Sequence, residues 1–244
     1  MKLSGSGSFV RFLLRVRPAP LAVLLKRLLR IRRETVDTPM GKFWIDPVSN
    51  LGVALVHAGT YEPGMQAILE RCLGPGKVFV DLGANEGYFT VLAARLTQPS
   101  GRVLAIEPQN RLIPIIETNL RINSLDATIV HAAVSDHSAV VTLHLAPDTN
   151  TGSSSLHRAT KYRVPTHPVS SLTLADVLNR NQIAKVDLLK VDIEGFEYEA
   201  ILGSQELFNQ KRIKAMALEL HSAALEARGR SVNELTSFSR TCGL

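Results

Sequence analysis

Two short apolar segments of this chain end in carboxylates, and glycines follow the first of them. The sequence VFVDLGANEG ends its apolar part at Asp81 and carries Gly83 and Gly87 in the loop behind it. The sequence VLAIEP ends the second segment in Glu107, 24 residues after Gly83. Glycines let the backbone approach a ligand closely, and the start of a following helix offers unpaired N–H groups to an anion. The acid at the end of the second segment, Glu107, can accept hydrogen bonds from both hydroxyls of a ribose. Together, the two segments therefore predict a site for a nucleoside-containing cofactor with an anionic group.

The composition of the glycine loop narrows the choice of cofactor. A Gly-x-x-x-Gly loop differs from the three-glycine fingerprint of dinucleotide-binding proteins, and no Gly-Lys-Ser/Thr phosphate loop follows it. S-adenosylmethionine fits the residues better, because its ammonium suits Asp81, its carboxylate suits the backbone N–H groups and its ribose suits Glu107.

Four further residues are candidates for cofactor contacts. Ala84 and Asn85 lie in the same loop, where Asn85 either contacts the cofactor or caps the following helix. Ser135 and Asp136 follow a third apolar segment, where we expect the adenine edge. The alternative for this pair is an ordinary turn.

A third cluster of charges, Lys190, Asp192 and Glu194, closes the apolar segment VDLLKVDI. Charged groups at the end of a buried strand are costly unless they are paired or used. Alternation puts these three side chains on one face if the strand stays regular to its end; otherwise Lys190 faces the other side of the sheet. Asp192 is the candidate for positioning an acceptor hydroxyl or taking its proton. Glu194 could instead simply stabilise the start of the following helix, where an acidic side chain is favourable. All three residues could instead form a structural ion-pair network without a catalytic role.

We predict no metal ion at this site. The histidines of the chain show no metal-ligand spacing. A divalent ion held by Asp192, Glu194 and Glu219 is the less favoured alternative. His221 is a candidate general base, although a lone histidine at a strand end is more often only hydrogen-bonded.

The elements that must position these residues alternate between strand and helix. This order predicts βαβ units, and so an α/β fold with a mostly parallel sheet and helices on both faces. The predicted strands cover residues 78–83, 102–108, 127–134, 186–193 and 213–221, and the predicted helices cover 86–96, 112–123, 171–178 and 195–203. We expect a serine cap on the third of these helices.

Three segments lie outside this alternation. Residues 139–145 read as an additional strand, and residues 35–46 as a small N-terminal β element. A long polar stretch at 148–162 is either a lid or a disordered loop.

Charge is divided unevenly along the chain. The net charge is +6, but residues 1–33 carry nine Lys and Arg and no acid, which leaves 19 basic against 22 acidic residues elsewhere. The body therefore has a balance of −3, which argues against nucleic acid as a partner. A hydrophobic content of 45% indicates a globular protein, and no apolar run approaches the roughly 20 residues of a membrane span. Two cysteines cannot form a disulfide framework, so a cytoplasmic location is expected.

Residues 20–33 predict a basic amphipathic helix. One interpretation is peripheral contact with the inner face of a membrane, with leucines in the interface and cations on anionic lipid. The equal alternative is a helix packed on its own domain with a solvated basic side. A cleaved targeting peptide is a third alternative.

The sequence resembles the FkbM family of S-adenosylmethionine-dependent methyltransferases. The resemblance covers residues 59–221 and is carried by VFVDLGANEGYFTVLAARL, VLAIEP, LLKVDIEGFEYEAILG and ALELH. Tyr61 and Glu62 of GTYEPG also resemble a family element that could cover the cofactor. The resemblance implies a Rossmann-like class I methyltransferase domain over 34–244 and an extension over 1–33. It also implies O-methylation, commonly of sugars, polyketides or other secondary metabolites.

One departure from the family concerns the end of the sheet. The full fold usually continues beyond its fifth strand into two more strands, which this sequence lacks. We expect that the N-terminal β element or a partner covers the resulting edge, or that the chain is a shortened form of the fold.

Other functions remain as alternatives. One is a family member that binds the cofactor but is inactive or regulatory, and another is an NAD-dependent oxidoreductase on a similar sheet. Nucleic-acid methylation is disfavoured by the acidic body and by a single Trp and four Tyr for base stacking. The expected acceptor is a small molecule or glycan, and its identity does not follow from the sequence.

Overall fold

The computed structural model describes residue 26 and residues 28–146, 151–152, 154–156 and 164–241. Its strands are β1 (Glu34–Thr38), β2 (Gly41–Ile45), β3 (Val78–Leu82), β4 (Arg102–Ile106), β5 (Thr128–Val130), β6 (Ala133–Val134), β7 (Ala139–His144), β8 (Thr166–Leu172), β9 (Leu188–Val191) and β10 (Met216–Leu218). Its helices are α1 (Asn50–Ala58), α2 (Pro63–Cys72), α3 (Tyr88–Thr97), α4 (Ile113–Ile122), α5 (Leu174–Arg180), α6 (Glu197–Leu202), α7 (Gln205–Asn209), α8 (Ser222–Ala227) and α9 (Val232–Thr241).

A five-stranded parallel sheet in the order β10-β9-β3-β4-β5 forms the centre of the fold. Its inner strands are buried on both faces, and alternate residues of β3 enter different cores. Phe79 belongs to the core that contains α3, whereas Val80 and Leu82 belong to the core that contains α5 and α6. Helices therefore cover both faces of the sheet, as the continuous apolar strands require. The predicted α/β class and parallel sheet are confirmed.

A second, three-stranded sheet has the order β6-β8-β7. The single strand predicted at 127–134 is wrong, because the chain turns between β5 and β6 and the two halves join different sheets. The additional strand predicted at 139–145 is confirmed as β7, which pairs antiparallel with β8. The predicted serine cap on α5 is wrong, since Ser171 pairs in β8 and the cap is Thr173, whose side chain accepts from Asp176 N.

The predicted N-terminal β element is an antiparallel hairpin of β1 and β2. It packs on α4, where Asn119 Oδ1 accepts from Trp44 N at 2.7 Å and Asn123 Oδ1 accepts from Lys42 N at 2.9 Å. The expectation that this hairpin covers the sheet edge at β10 is therefore wrong. Within the described residues, α8 and α9 follow β10 and no further strand does.

Helices α1 and α2 were not predicted. α1 begins after Ser49, whose side chain accepts from Gly52 N, and α2 begins with Pro63. The described part of the chain contains no helix with the length and apolar character to cross a bilayer. Half of the predicted basic helix at 20–33 lies outside the described residues. In its described part, Lys26 pairs with Asp46, and Leu28 and Leu29 are 70% and 48% exposed.

Candidate functional site

A pocket lies at the carboxyl ends of β3, β4 and β9, where ligands bind in open parallel sheets. It brings together Gly83, Asn85, Glu107, Asp192 and Glu194, which come from three separate segments of the sequence. Parallel strands end at the same edge of the sheet, so residues about 100 positions apart become neighbours here.

The glycine loop presses its backbone against the end of β9. Gly83 has a φ of 82°, and a Cβ atom there would lie 1.9 Å from the backbone oxygen of Asp192. Asn85 has a φ of 51°, and its backbone N–H donates a hydrogen bond to Glu107 Oε2, with an N···O distance of 2.8 Å. Gly87 instead faces Ile116 of α4, and Ala84 is 5% exposed within the core. Gly83 and Asn85 therefore line the pocket, whereas Ala84 and Gly87 pack behind the lining.

Glu107 supplies a buried carboxylate to the pocket. Its Oε2 accepts from Asn85 N and its Oε1 accepts from Gln109 N at 2.9 Å. Burial raises the pKa of Glu107 to about 7, although these N–H groups act in the opposite direction. Each carboxylate oxygen retains capacity for another donor, so the geometry suits two hydroxyl groups of a ribose.

Asp81 lies beneath the pocket and not in its lining. Its carboxylate is fully buried, where Oδ2 accepts from Thr90 Oγ1 at 2.7 Å and Oδ1 lies 3.3 Å from Lys190 Nζ. Lys190 Nζ also lies 3.3 Å from Asp192 Oδ2 and donates to Gly83 O at 3.2 Å. Burial lowers the pKa of Lys190, but the two carboxylates outweigh burial and hold it above its usual value. The buried lysine therefore connects Asp81 to the loop and to Asp192.

A cluster of acids surrounds His221 just beyond β9 and β10. His221 Nε2 lies 4.0 Å from Asp192 Oδ1 and 3.5 Å from Glu194 Oε2. On its other side, Nδ1 lies 2.7 Å from Oε1 of the buried Glu197. The bond to Glu197 and the surrounding carboxylates raise the pKa of His221 to about 9. Burial raises the pKa of Glu194 to about 7, although His221 opposes this change.

Tyr61 and Glu62 adjoin this acid cluster. The ring of Tyr61 packs edge-on against Tyr88, with the ring centroids 5.8 Å apart. Burial, a hydrogen bond to Glu62 and the charges of Asp192 and Glu219 together raise the pKa of Tyr61. The two residues predicted to cover the cofactor thus lie beside the acid cluster, and neither is among the residues that line the pocket.

Ser135 and Asp136 lie beside the pocket and outside its lining. Ser135 N donates to Leu172 O in the small sheet, and Asp136 Oδ1 lies 2.6 Å from His137 Nδ1. The backbone of Asp136 packs against Gly203 at the end of α6. In this stretch the pocket is lined by the preceding residues Ala132, Ala133 and Val134.

The described part of the predicted 148–162 loop closes one side of the pocket. Thr151 Oγ1 donates to Asn85 Oδ1 at 2.7 Å, and Ser155 Oγ donates to the backbone oxygen of Glu194 at 2.7 Å. Gln109 Nε2 donates to Thr151 O, and Ser154 Oγ donates to Gln109 Oε1. Gln109 was not predicted, because nothing in its local sequence pattern distinguishes it from a surface glutamine.

Comparison with known proteins gives one family. The family model described as the methyltransferase FkbM domain matches residues 81–243, more than half of the chain. No curated protein matches the sequence.

Several solved structures resemble the fold at low identity. The FkbM methyltransferase of Methylobacillus flagellatus is 13% identical over 91% of this chain and 54% of its own, with a TM-score of 0.45. The precorrin-6y C5,15-methyltransferase of Geobacter metallireducens is 16% identical over 75% of this chain and 73% of its own, with a TM-score of 0.44. The rRNA methylase of Streptococcus thermophilus is 17% identical over 29% of this chain, with a TM-score of 0.27. Only 41% of that rRNA methylase is spanned by the match.

Proposed function

Since the chain belongs to the FkbM methyltransferase family, we propose that it transfers a methyl group from S-adenosylmethionine to a hydroxyl oxygen of a small-molecule or glycan acceptor. One observation carries this proposal. The pocket places the buried carboxylate of Glu107 beside the glycine loop and has Asp192 and Glu194 in the same lining. A carboxylate suited to ribose hydroxyls and carboxylates that can accept a proton thus lie in one pocket, which supports the proposal.

The residues of the pocket fit the proposed cofactor. Glu107 has free acceptor capacity for the ribose hydroxyls, and the backbone at Gly83 and Asn85 approaches the pocket directly. When bound, the cofactor supplies an already activated methyl group on a sulfonium centre. The protein therefore has to orient the two substrates and exclude water.

Asp192 is our candidate for accepting the acceptor proton. Lys190 holds Oδ2 of Asp192 at 3.3 Å, so the other carboxylate oxygen, Oδ1, faces the acid cluster. Oδ1 would accept the hydroxyl proton of the acceptor as the acceptor oxygen takes up the methyl group that the cofactor supplies. Tyr61 and Glu62 border the same space and are candidates for contact with the acceptor.

Calorimetric titration with S-adenosylhomocysteine tests the cofactor assignment, with NADH as the control ligand. We expect binding of S-adenosylhomocysteine alone. Binding of NADH alone, or of neither ligand, would contradict the proposal.

The Asp192→Asn variant tests the reaction. It keeps the shape of the side chain, so we expect cofactor affinity to stay within about twofold and turnover of a hydroxylated acceptor to fall by about 10²–10⁴-fold. Asp187→Asn is the matched control, because Asp187 lies at the opposite end of β9 and pairs with Lys77 and Lys214. Full turnover in Asp192→Asn would remove this residue from the proposed role.

A further inference from the structure

Three side chains of types that can ligate a metal ion converge beyond the ends of β9 and β10. One ligand atom each of Asp192, Glu219 and His221 can be chosen so that all three lie within 4.8 Å of one another. Two oxygens and one imidazole nitrogen form a donor set typical of sites for divalent first-row transition metals. The set is assembled from two strand ends 27 residues apart in sequence, which explains why the spacing of histidines predicted no metal.

His221 is oriented by a buried second carboxylate. Glu197 is 0% exposed, and its Oε1 lies 2.7 Å from His221 Nδ1 and accepts from Gly195 N at 3.0 Å. With Nδ1 directed to Glu197, the other ring nitrogen, Nε2, faces Asp192 and Glu194. Metal-binding histidines characteristically make such a hydrogen bond to a carboxylate, which fixes the ring and exposes the ligating nitrogen.

The charge of the site is also suited to a cation. The carboxylates of Asp192 and Glu194 lie 4.0 Å and 3.5 Å from His221 Nε2. Lys190 is shared between Asp81 and Asp192 and contributes a single positive charge. A divalent ion would offset the mutual repulsion of the acids.

We propose that Asp192, Glu219 and His221 bind a divalent transition-metal ion, with Glu197 as the residue that positions His221. The inference rests on the proposed function, because the ion would lie beside the pocket and orient the acceptor oxygen. Ligand atoms around a tetrahedral ion are about 3.4 Å apart, so a pair at the 4.8 Å limit must approach by about 1.4 Å. Glu219 is exposed and can make this movement by rotating its side chain.

Three protein ligands leave coordination positions open, as in catalytic metal sites. An acceptor hydroxyl in an open position would have its pKa lowered by the ion. With Asp192 bound to the ion, the acceptor proton would pass instead to Glu194, whose Oε2 lies 3.5 Å from His221 Nε2. The oxygen pair would form the bond to the methyl carbon, and the carbon–sulfur pair would remain on sulfur. Atoms and electrons balance without a further reactant.

Binding of Mn²⁺ to the full chain, without cofactor, tests the site directly. Electron paramagnetic resonance measures the concentration of free Mn²⁺. We expect each protein chain to bind one Mn²⁺ ion at micromolar concentrations and so to lower the free Mn²⁺ signal by one equivalent. Glu219→Gln removes an exposed ligand without disturbing the core, and Glu197→Gln removes the positioning charge. We expect each to raise the Mn²⁺ dissociation constant by about 10–100-fold.

Glu226→Gln is the matched control, since Glu226 is an exposed glutamate on α8, five residues beyond His221. We expect this variant to bind Mn²⁺ like the unmodified chain. Absence of Mn²⁺ binding would overturn the inference, and so would equal affinity of Glu219→Gln and Glu226→Gln. Titration of the same samples with S-adenosylhomocysteine separates the two proposals, because loss of the metal site leaves cofactor binding intact.

Discussion

At the scale of single residues, Glu107 links cofactor binding to pH. The pKa of this buried carboxyl is about 7, so it is mostly protonated below that pH and mostly ionised above it. Ribose hydroxyls donate to the ionised form, so affinity should increase as the pH rises through this value. Between about pH 6 and about pH 8 the ionised fraction rises about tenfold, and we expect the dissociation constant of S-adenosylhomocysteine to fall by up to that factor.

The Glu107→Gln variant provides the control for this pH dependence. Its amide does not titrate, so calorimetry should show weaker binding that is flat over the same pH range. An unchanged pH profile in Glu107→Gln would assign the dependence to another group.

The sequence predicted which residues gather at the site better than it predicted what each one contacts. Strand alternation correctly placed Lys190 and Asp192 on one face, as their 3.3 Å contact shows. Alternation cannot show that Asp81 is fully buried against Lys190, because that depends on how deeply the lysine side chain reaches beneath the loop. The contact between Glu197 and His221 was not predicted either, since the two residues come from different elements.

At the scale of elements, the turn from β3 into α3 depends on Gly83. Alanine there would adopt a left-handed backbone with a φ of 82° and place its Cβ 1.9 Å from the backbone oxygen of Asp192. We expect Gly83→Ala to lower the free energy of unfolding by at least about 2 kcal/mol, as measured by urea denaturation. Gly74→Ala is the matched control, because no atom lies within 4 Å of a Cβ at Gly74. A change of less than about 0.5 kcal/mol is expected there, and equal effects at both positions would contradict this account of the turn.

The central strands were predictable because they are buried on both faces and therefore continuously apolar. β3 and β9 fall within the predicted segments 78–83 and 186–193. The split between β5 and β6 was not predictable, since residues 127–134 read as one apolar run and only tertiary pairing divides them. The packing of the β1–β2 hairpin on α4 was likewise not predictable from the sequence, because it depends on contacts of the side-chain amides of Asn119 and Asn123.

At the scale of the whole molecule, charge is separated between the N-terminal segment and the body. Residues 1–33 carry nine basic residues and no acid, and Leu28 and Leu29 are not buried against the domain. From these features we propose a membrane-surface role for the N-terminal segment. We expect the full chain to float with vesicles rich in phosphatidylserine, to bind neutral vesicles poorly, and to be released by salt.

A chain that lacks residues 1–25 is the control for the flotation experiment. It keeps Lys26, which pairs with Asp46, and Arg33, which pairs with Glu86 in the glycine loop at 2.8 Å. Equal flotation of both chains would show that residues 1–25 do not make the membrane contact.

The burial of Lys190 has a consequence for chemical labelling. Its side chain is 2% exposed, whereas those of Lys77 and Lys214 are 46% and 53% exposed. An amine-reactive reagent should therefore modify Lys77 and Lys214 in the folded protein and leave Lys190 unmodified. Because Lys190 joins β3, β9 and the glycine loop, mass spectrometry of its modification would report when this edge of the sheet opens. Modification of Lys190 as rapid as that of Lys77 in the native protein would contradict its burial.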